Sequence, residues 1–178
     1  MGLTPDAEKA YFVQDYAGRT VIEGVEILNR PWFHDDGAAL TELGRFDGGL
    51  HQDLPDFSIR QLNYSLIEPG TIKAFHLHRH QTDVWYVPPH DRVLVVLGDV
   101  RADSATSGQT MRVVLGGGSN RLLRIPPEVA HGAKNVGTET ARILYFTDRH
   151  FSPEPEETDE GRLGWDFFGA GVWEIERG

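Results

Sequence analysis

The chain has 178 residues, of which 39% are hydrophobic and 25% are charged, a balance typical of one globular domain of ordinary size. Its formal charge of −10 repels phosphate backbones, so we expect no nucleic-acid partner. Cysteine is absent, and no apolar run long enough to span a bilayer and no secretory signal is visible. We therefore expect a cytoplasmic protein without a membrane partner.

The predicted elements begin with a short helix, which Thr4 can cap and in which Pro5 fits the first turn. From about residue 20 to residue 150, short apolar runs alternate with turn residues, as in a β-sandwich or small barrel. The predicted strands span residues 20–28, 39–43, 57–67, 71–78, 84–87, 92–100, 110–115, 121–125 and 141–147. The tail is acidic and proline-rich, then aromatic up to Trp173, so we expect it to pack on the barrel or on a partner subunit. This pattern predicts a single domain over residues 1–178, with an N-terminal arm at 1–19, a barrel at 20–150 and a C-terminal tail at 151–178.

Two segments of the predicted barrel carry the informative histidines: residues 70–83 contain His76, His78 and His80, and residues 125–135 contain His131. His76, His78 and His80 stand at alternate positions, and residues two apart in a strand face the same way. Two or three imidazoles with a carboxylate can bind Fe, Mn or Ni, whereas one imidazole can act as a general base near neutral pH. A third interpretation leaves such histidines on the surface. We predict a role in the functional site for His76 and His131, and we leave the choice between site and surface open for His80. Surface positions are predicted for His34, His51, His90 and His150.

These two segments resemble the two cupin motifs, G-x5-H-x-H-x3-4-E and P-x-G-x2-H-x3-N. The matching residues are Gly70, His76, His78 and Asp83 in the first motif and Pro126, His131 and Asn135 in the second. Asp83 replaces the glutamate, and Glu128 replaces the glycine. The resemblance implies an all-β cupin jelly-roll β-barrel (double-stranded β-helix) with short terminal helical or extended segments. Such a fold supports many activities, so the motifs alone do not define the function.

Further blocks point to a narrower family. They are Q-L-N-Y-S at 61–65, G-T-I-K-A-F-H at 70–76, V-V-L-G-D-V-R at 95–101, I-P-P-E-V-A-H-G at 125–132 and L-Y-F-T-D at 144–148. Because they occur in one order, the chain resembles the dTDP-4-dehydrorhamnose 3,5-epimerase family over roughly residues 22–166. The resemblance implies a homodimeric isomerase that takes a proton from beside the ketone of a 4-keto-6-deoxy sugar nucleotide, with no metal or other cofactor.

The family resemblance also implies roles for individual residues. His76 falls on the catalytic base and Tyr145 on the opposing acid. Lys73 stands where the family has a phosphate-contacting arginine, and keeps the charge but not the bidentate fork. The implied substrate-binding residues are Glu42, Gln61, Asn63, Lys73, His78 and His131. Without the family match, Tyr145 in an apolar strand would be predicted as a core residue.

Three departures from the family concern the site. Gly37 replaces an arginine that reaches the nucleotide, and Asp83 stands at a lysine position. The late L-S-x-K-D block, whose aspartate orients the base, is missing, so Asp83 is our catalytic candidate for the orienting carboxylate or, alternatively, a metal ligand. Lys73 lies an odd number of residues before His76, so both reach one pocket only if a bulge intervenes.

Two alternative functions stay open. One is a metal-dependent cupin enzyme, a dioxygenase or isomerase, that binds Fe, Mn or Ni through His76, His78, Asp83 and His131. The other is a non-catalytic cupin that binds a small molecule. The metal-free epimerase is our leading hypothesis, because the family blocks extend well beyond the histidine motifs.

Overall fold

The computed structural model describes residues 2–13, 21–154 and 156–175. Residue 20, where the first predicted strand begins, and parts of the predicted arm and tail lie outside these ranges. The predicted N-terminal helix is confirmed as α1 (Pro5–Ala10), with the Thr4 hydroxyl accepting a hydrogen bond from the Ala7 N–H at 3.4 Å. No helix within the described ranges is long and apolar enough to cross a membrane.

The rest of the described chain is dominated by short antiparallel strands. These are β1 (Glu26–Asn29), β2 (Phe33–His34), β3 (Ala39–Leu40), β4 (Phe46–Asp47), β5 (Leu50–His51), β6 (Leu54–Ser58), β7 (Gln61–Ile67), β8 (Ile72–Leu77), β9 (Asp83–Tyr86), β10 (Arg92–Asp99), β11 (Thr110–Gly116), β12 (Arg121–Ile125), β13 (Val129–Asn135), β14 (Ala141–Thr147) and β15 (Gly161–Arg162). A 3-10 helix, η1, spans Ala170–Trp173.

Two five-stranded sheets form the body of the fold. The first has the order β1-β12-β9-β14-β7 and the second the order β11-β10-β13-β8-β15. Inward-facing side chains of both sheets, such as Leu123 and Ile143 from the first and Val95 and Leu97 from the second, share one buried apolar core. Side chains alternate between the two faces of a strand, so the intervening residues of β7 and β14 point away from this core and are less buried. The functional pocket opens between these two sheets.

One central strand was not predicted. β13 lies between β10 and β8, and six of its residues are buried, with only Lys134 partly exposed. Its sequence contains few β-branched residues and includes Gly132, so it lacks the composition on which strand prediction depends. A Cβ atom on Gly132 would lie 2.4 Å from the Ala74 Cβ, so β13 can approach β8 only with glycine there. Close strand approach, rather than propensity, explains this residue choice.

The bulge that the Lys73–His76 spacing requires is confirmed. His131 pairs with His76 and Ala133 pairs with Lys73, so three steps along β8 oppose two steps along β13. The extra residue changes which side of β8 faces inward. Lys73 and His76 consequently line the same cavity.

The C-terminal tail packs on its own barrel, as one of the two expectations stated. Trp173 is 2% exposed and its ring lies 5.2 Å from that of Phe75, which also contacts Phe168 edge-on at 5.0 Å. The Trp173 indole N–H donates to the Trp165 carbonyl at 2.8 Å. This packing holds β15 against β8, at the edge of the pocket.

Candidate active site

A cavity of about 60 Å³ lies between the two sheets. Its polar lining includes Lys73, His76, His78, Asp83, His131 and Tyr145. A neighbouring cavity of about 200 Å³ shares Tyr145 and Glu160 with it and extends to Gln61 and Asn63. The two cavities are neighbours with shared lining residues, and together they form a recess suited to an extended ligand.

His76 has a side-chain partner at each ring nitrogen. Arg162 Nη1 lies 2.9 Å from Nε2, and Glu160 Oε2 lies 3.6 Å from Nδ1. Because arginine is only a donor, Nε2 must be the acceptor, and the ring proton of neutral His76 is on Nδ1, facing Glu160. Burial lowers the pKa of His76 below its ordinary value; Glu160 opposes this shift, while His131 and Arg162 add to it. His76 is therefore neutral near pH 7, as a base must be.

Tyr145 reaches the cavity from the opposite sheet. It lies on β14, whereas His76 lies on β8. Burial raises the pKa of Tyr145, and the negative charges of Asp83 and Glu160 raise it further. Tyr145 therefore keeps its proton at neutral pH and is chemically suited to act as an acid.

Asp83 lines the cavity and is 2% exposed. Gln81 Nε2 donates to one carboxylate oxygen at 2.8 Å, and the Trp85 indole N–H donates to the other at 2.9 Å. Burial raises the pKa of Asp83, but His131, His78 and Trp85 more than offset this, so that its pKa lies below the ordinary value. The carboxylate is thus ionised and held in one orientation.

Two further imidazoles face Asp83. His78 Nδ1 donates to the Asp159 carbonyl at 2.7 Å, and His131 Nδ1 donates to the Val129 carbonyl at 3.0 Å. In the neutral rings, the lone pairs are therefore on the Nε2 atoms, which lie 3.9 Å and 3.6 Å from the Asp83 carboxylate. Three acceptors converge here, an arrangement that a proton or a metal cation would stabilise.

The chemistry of this donor set fits a cation. The ligand atoms of His78, Asp83 and His131 lie within 4.8 Å of one another, and so do those of His76, His78 and Glu160. His131 Nε2 is buried and has no hydrogen-bond partner among the described residues. Backbone carbonyls that fix Nδ1 and free Nε2 are the usual support of metal-binding histidines.

The other sequence-predicted residues have different positions. Gln61 and Asn63 hydrogen-bond to each other at 2.9 Å beside the second cavity. Glu42 instead forms an exposed pair with Arg45, at 2.8 Å, and lines neither cavity. Asp83, predicted to orient the base, lies 3.6 Å from His131 Nε2 and 3.9 Å from His78 Nε2 and does not pair with His76. The carboxylate beside His76 is Glu160.

Sequence reasoning missed several residues of this site. Gln81 and Trp85 stand two residues before and two residues after the predicted Asp83, so period-2 alternation could have grouped them with it in the pocket. Glu160 and Arg162 lie in a tail that was interpreted only as acidic and aromatic. No motif marks them, and only the pairing of β15 with β8 brings them to His76.

The fold and the site together define an all-β enzyme with an acid–base pocket between two antiparallel sheets. The family model described as dTDP-4-dehydrorhamnose 3,5-epimerase matches residues 19–165. The chain belongs to this family, which confirms the predicted family, the cupin jelly-roll fold and the sugar-nucleotide epimerase activity, an isomerase reaction.

Three relatives illustrate the similarity. The spore coat polysaccharide biosynthesis protein SpsL of Bacillus subtilis is 38% identical, over 82% of this chain and 91% of the relative. The dTDP-4-dehydrorhamnose 3,5-epimerase of Escherichia coli is 29% identical, over 78% of this chain and 75% of the relative. A dTDP sugar isomerase from Desulfovibrio desulfuricans, known from its crystal structure, is 28% identical in sequence. The two structures match with a TM-score of 0.70 over 87% of this chain and 91% of that chain.

Proposed function

We propose that the protein inverts a carbon beside the ketone of a 4-keto-6-deoxy sugar nucleotide, with His76 as base and Tyr145 as acid, without a metal. One observation carries this proposal: His76 and Tyr145 line one cavity from opposite sheets. A sugar ring bound between them presents one face to the base and the other to the acid. The name of the E. coli relative supports a nucleotide-linked 4-keto sugar as the substrate.

The proposed reaction consists of two proton transfers. His76 Nε2 takes the proton from a carbon next to the ketone, and the C–H electron pair forms the enolate, with its negative charge on the ketone oxygen. The Tyr145 hydroxyl then gives its proton to the opposite face of that carbon, and the enolate electrons form the new C–H bond. Lys73 is suited to contact phosphate, and His131 lines the same cavity. Exchange with solvent returns both catalytic residues to their starting states.

The recess supports the binding part of this proposal. Lys73 Nζ donates to the Ser65 hydroxyl at 3.1 Å at the edge of the first cavity, which leaves its charge available to a phosphate. The amides of Gln61 and Asn63 line the second cavity, where they can hydrogen-bond to sugar or nucleotide oxygens. We propose these three residues as ligand contacts, and not Glu42, which pairs with Arg45 outside both cavities.

Solvent deuterium uptake tests the base assignment. Wild-type protein incubated in D₂O with a 4-keto-6-deoxy sugar nucleotide should incorporate deuterium beside the ketone, as measured by NMR. His76→Ala should slow the uptake by about 10²-fold or more, the usual contribution of a general base. His90→Ala, at an exposed position outside the cavity, is the matched control. If His76→Ala exchanges as fast as wild type, His76 is not the base.

A metal-dependent enzyme is a second candidate, favoured by the unpartnered Nε2 of His131. His78, Asp83 and His131 would hold a divalent ion, which would act as a Lewis acid on a carbonyl oxygen. Elemental analysis of protein purified without chelators separates the candidates. Stoichiometric Fe, Mn or Ni that is lost in His131→Ala would overturn the metal-free proposal, whereas full activity in metal-free protein supports it.

We also propose a homodimer, located in the cytoplasm and without nucleic-acid or membrane partners. The negative formal charge supports the absence of nucleic acid. The edge strand β7 supports the dimer, because Leu62, Tyr64 and Leu66 are 56%, 61% and 56% exposed on its outer face. Exposed apolar side chains on an edge strand favour association with a second copy of the chain. Light scattering should give twice the chain mass, and Tyr64→Asp should shift it toward the monomer.

A further inference from the structure

The segment from Asp159 to Arg162 lies beside the pocket, which Glu160 lines. The Asp159 carboxylate accepts hydrogen bonds from the backbone N–H groups of Arg79, His80 and Gln81, each at 2.8 Å. Two residues later, β15 pairs with β8, with Arg162 opposite His76. The segment is thus fixed at both ends to the strand and loop that carry the base.

This anchoring directs two side chains of opposite charge at one imidazole. Glu160 and Arg162 are two residues apart, so alternation places them on the same side of the segment. Glu160 contacts the Nδ1 side of His76 at 3.6 Å, and Arg162 contacts Nε2 at 2.9 Å. The pKa of Glu160 lies below its ordinary value, first because of His76, so Glu160 is ionised at neutral pH.

These contacts have different consequences for proton transfer. An ionised carboxylate on the Nδ1 side favours the tautomer with the lone pair on Nε2 and stabilises the imidazolium formed during the reaction. Arg162, in contrast, occupies the Nε2 lone pair that must receive the substrate proton. The base therefore accepts a proton only after Arg162 has left it. Arg162 is solvent-exposed and can move without opening the core.

We propose that Glu160 is the positioning residue of His76 and that Arg162 covers the His76 Nε2 atom until substrate displaces it. The proposal rests on the proposed role of His76 as the base. It gives the C-terminal segment a function in the reaction, in place of the Asp83 role predicted from sequence.

Glu160 is tested by kinetics on Glu160→Ala and Glu160→Gln. We expect Glu160→Ala to lower kcat by about 10- to 100-fold with KM within twofold of wild type, as for other residues that support a functional histidine. Glu160→Gln keeps an acceptor for the Nδ1 proton and should recover part of the loss.

The control for these variants is Glu154→Ala, at an exposed position outside both cavities. A merely structural role for Glu160 would lower the melting temperature and the amount of folded enzyme, with kcat per folded molecule unchanged. A wild-type kcat in Glu160→Ala would overturn the positioning role.

Arg162 is tested by the reactivity of His76 in the free enzyme. Diethylpyrocarbonate modifies unprotonated imidazole nitrogens, and peptide mapping reports the rate at each histidine. Arg162→Met should raise the rate at His76 several-fold relative to the exposed His34 in the same sample. Arg92→Met, at an exposed arginine that does not line the cavity, should not change that ratio.

The two proposals fail in distinguishable ways. If the ratio is unchanged in Arg162→Met, Arg162 does not cover Nε2, whatever the enzyme's reaction. If wild-type protein takes up no deuterium into a 4-keto sugar nucleotide, the proposed function fails, while the modification experiment still reports on the cover. Melting temperatures within a few degrees of wild type establish that both variants are folded.

Discussion

Tyr145→Phe separates the two proton transfers of the proposed reaction. The substitution removes one hydroxyl and leaves the ring, which lies 6.2 Å from the Trp85 ring and packs against the core between the sheets. Tyr145 donates no hydrogen bond to a described residue, so loss of its hydroxyl should change the free energy of unfolding by about 1 kcal/mol or less. The structural cost is therefore small, and the kinetic effect reports on the hydroxyl itself.

The kinetic effect should be large for inversion and small for exchange. A positioned general acid contributes about 10²- to 10⁴-fold, which corresponds to roughly 3–5 kcal/mol of transition-state stabilisation. His76 still forms the enolate and returns a proton to the face from which it came. Tyr145→Phe should therefore take up deuterium from D₂O at a rate near that of wild type, while epimer formation falls by about 10² or more.

One-dimensional NMR of the sugar nucleotide in D₂O follows both quantities in a single sample. Loss of the signal beside the ketone measures exchange, and the new epimer signals measure inversion. Trp32→Phe, a change outside both cavities, is the control. Equal loss of exchange and inversion would refute separate faces for base and acid. Wild-type inversion in Tyr145→Phe would exclude Tyr145 as the acid.

Three further predictions concern pH and packing. The acidic limb of the kcat profile should lie below pH 6.5, because the His76 pKa is lowered and activity is present above that pKa and lost as pH falls through it. Asp99→Asn should reduce the free energy of unfolding by about 3 kcal/mol at neutral pH, measured by urea titration, since it leaves the Arg101 guanidinium without its buried partner at 2.8 Å. Burial raises the pKa of Asp99, but its hydrogen-bond donors lower this pKa well below the ordinary value. The stabilisation by ionised Asp99 is therefore present at neutral pH and is lost as the solution is acidified through the lowered pKa. Equal destabilisation by Asp99→Asn at pH 7 and at strongly acidic pH would contradict this origin. Gly98→Ala should destabilise by about 1–3 kcal/mol, because its Cβ would lie 2.1 Å from the Phe168 ring, and an unchanged melting temperature would show that the tail does not pack there.

The strands that sequence predicts best are those with strong local signals. β12 and β14 match their predicted bounds, because runs of apolar residues alternate there between turn residues. β13 was missed because its place in the sheet depends on pairing with β10 and β8, not on its composition. β6 and β7 were predicted as a single strand, since no turn residue separates Ser58 from Gln61.

In the candidate site, too, only the residues marked by a local sequence signal were predicted. His76, His131 and Tyr145 were found because family blocks surround them, and the described structure brings all three to one cavity. Glu160 and Arg162 were not found because their relation to His76 is a long-range strand pairing that no local pattern encodes. The absence of the family's late aspartate predicts that another carboxylate orients His76. From sequence alone Asp83 was chosen, because it is nearer to the histidines along the chain.

Three imidazoles lie within a few ångströms of one another, with ring centres 5.2 to 6.4 Å apart, yet their partners make them unequal. His78 and His131 are fixed by backbone carbonyls and direct Nε2 at the buried Asp83 carboxylate. His76 is held instead by side chains of a surface segment, one of which is an exposed arginine. Its Nε2 contacts an exposed side chain that a substrate can displace, whereas the Nε2 atoms of His78 and His131 face the buried Asp83 carboxylate. The chemistry of proton abstraction therefore belongs to His76, while the other two rings provide the fixed electrostatic surroundings of the ketone.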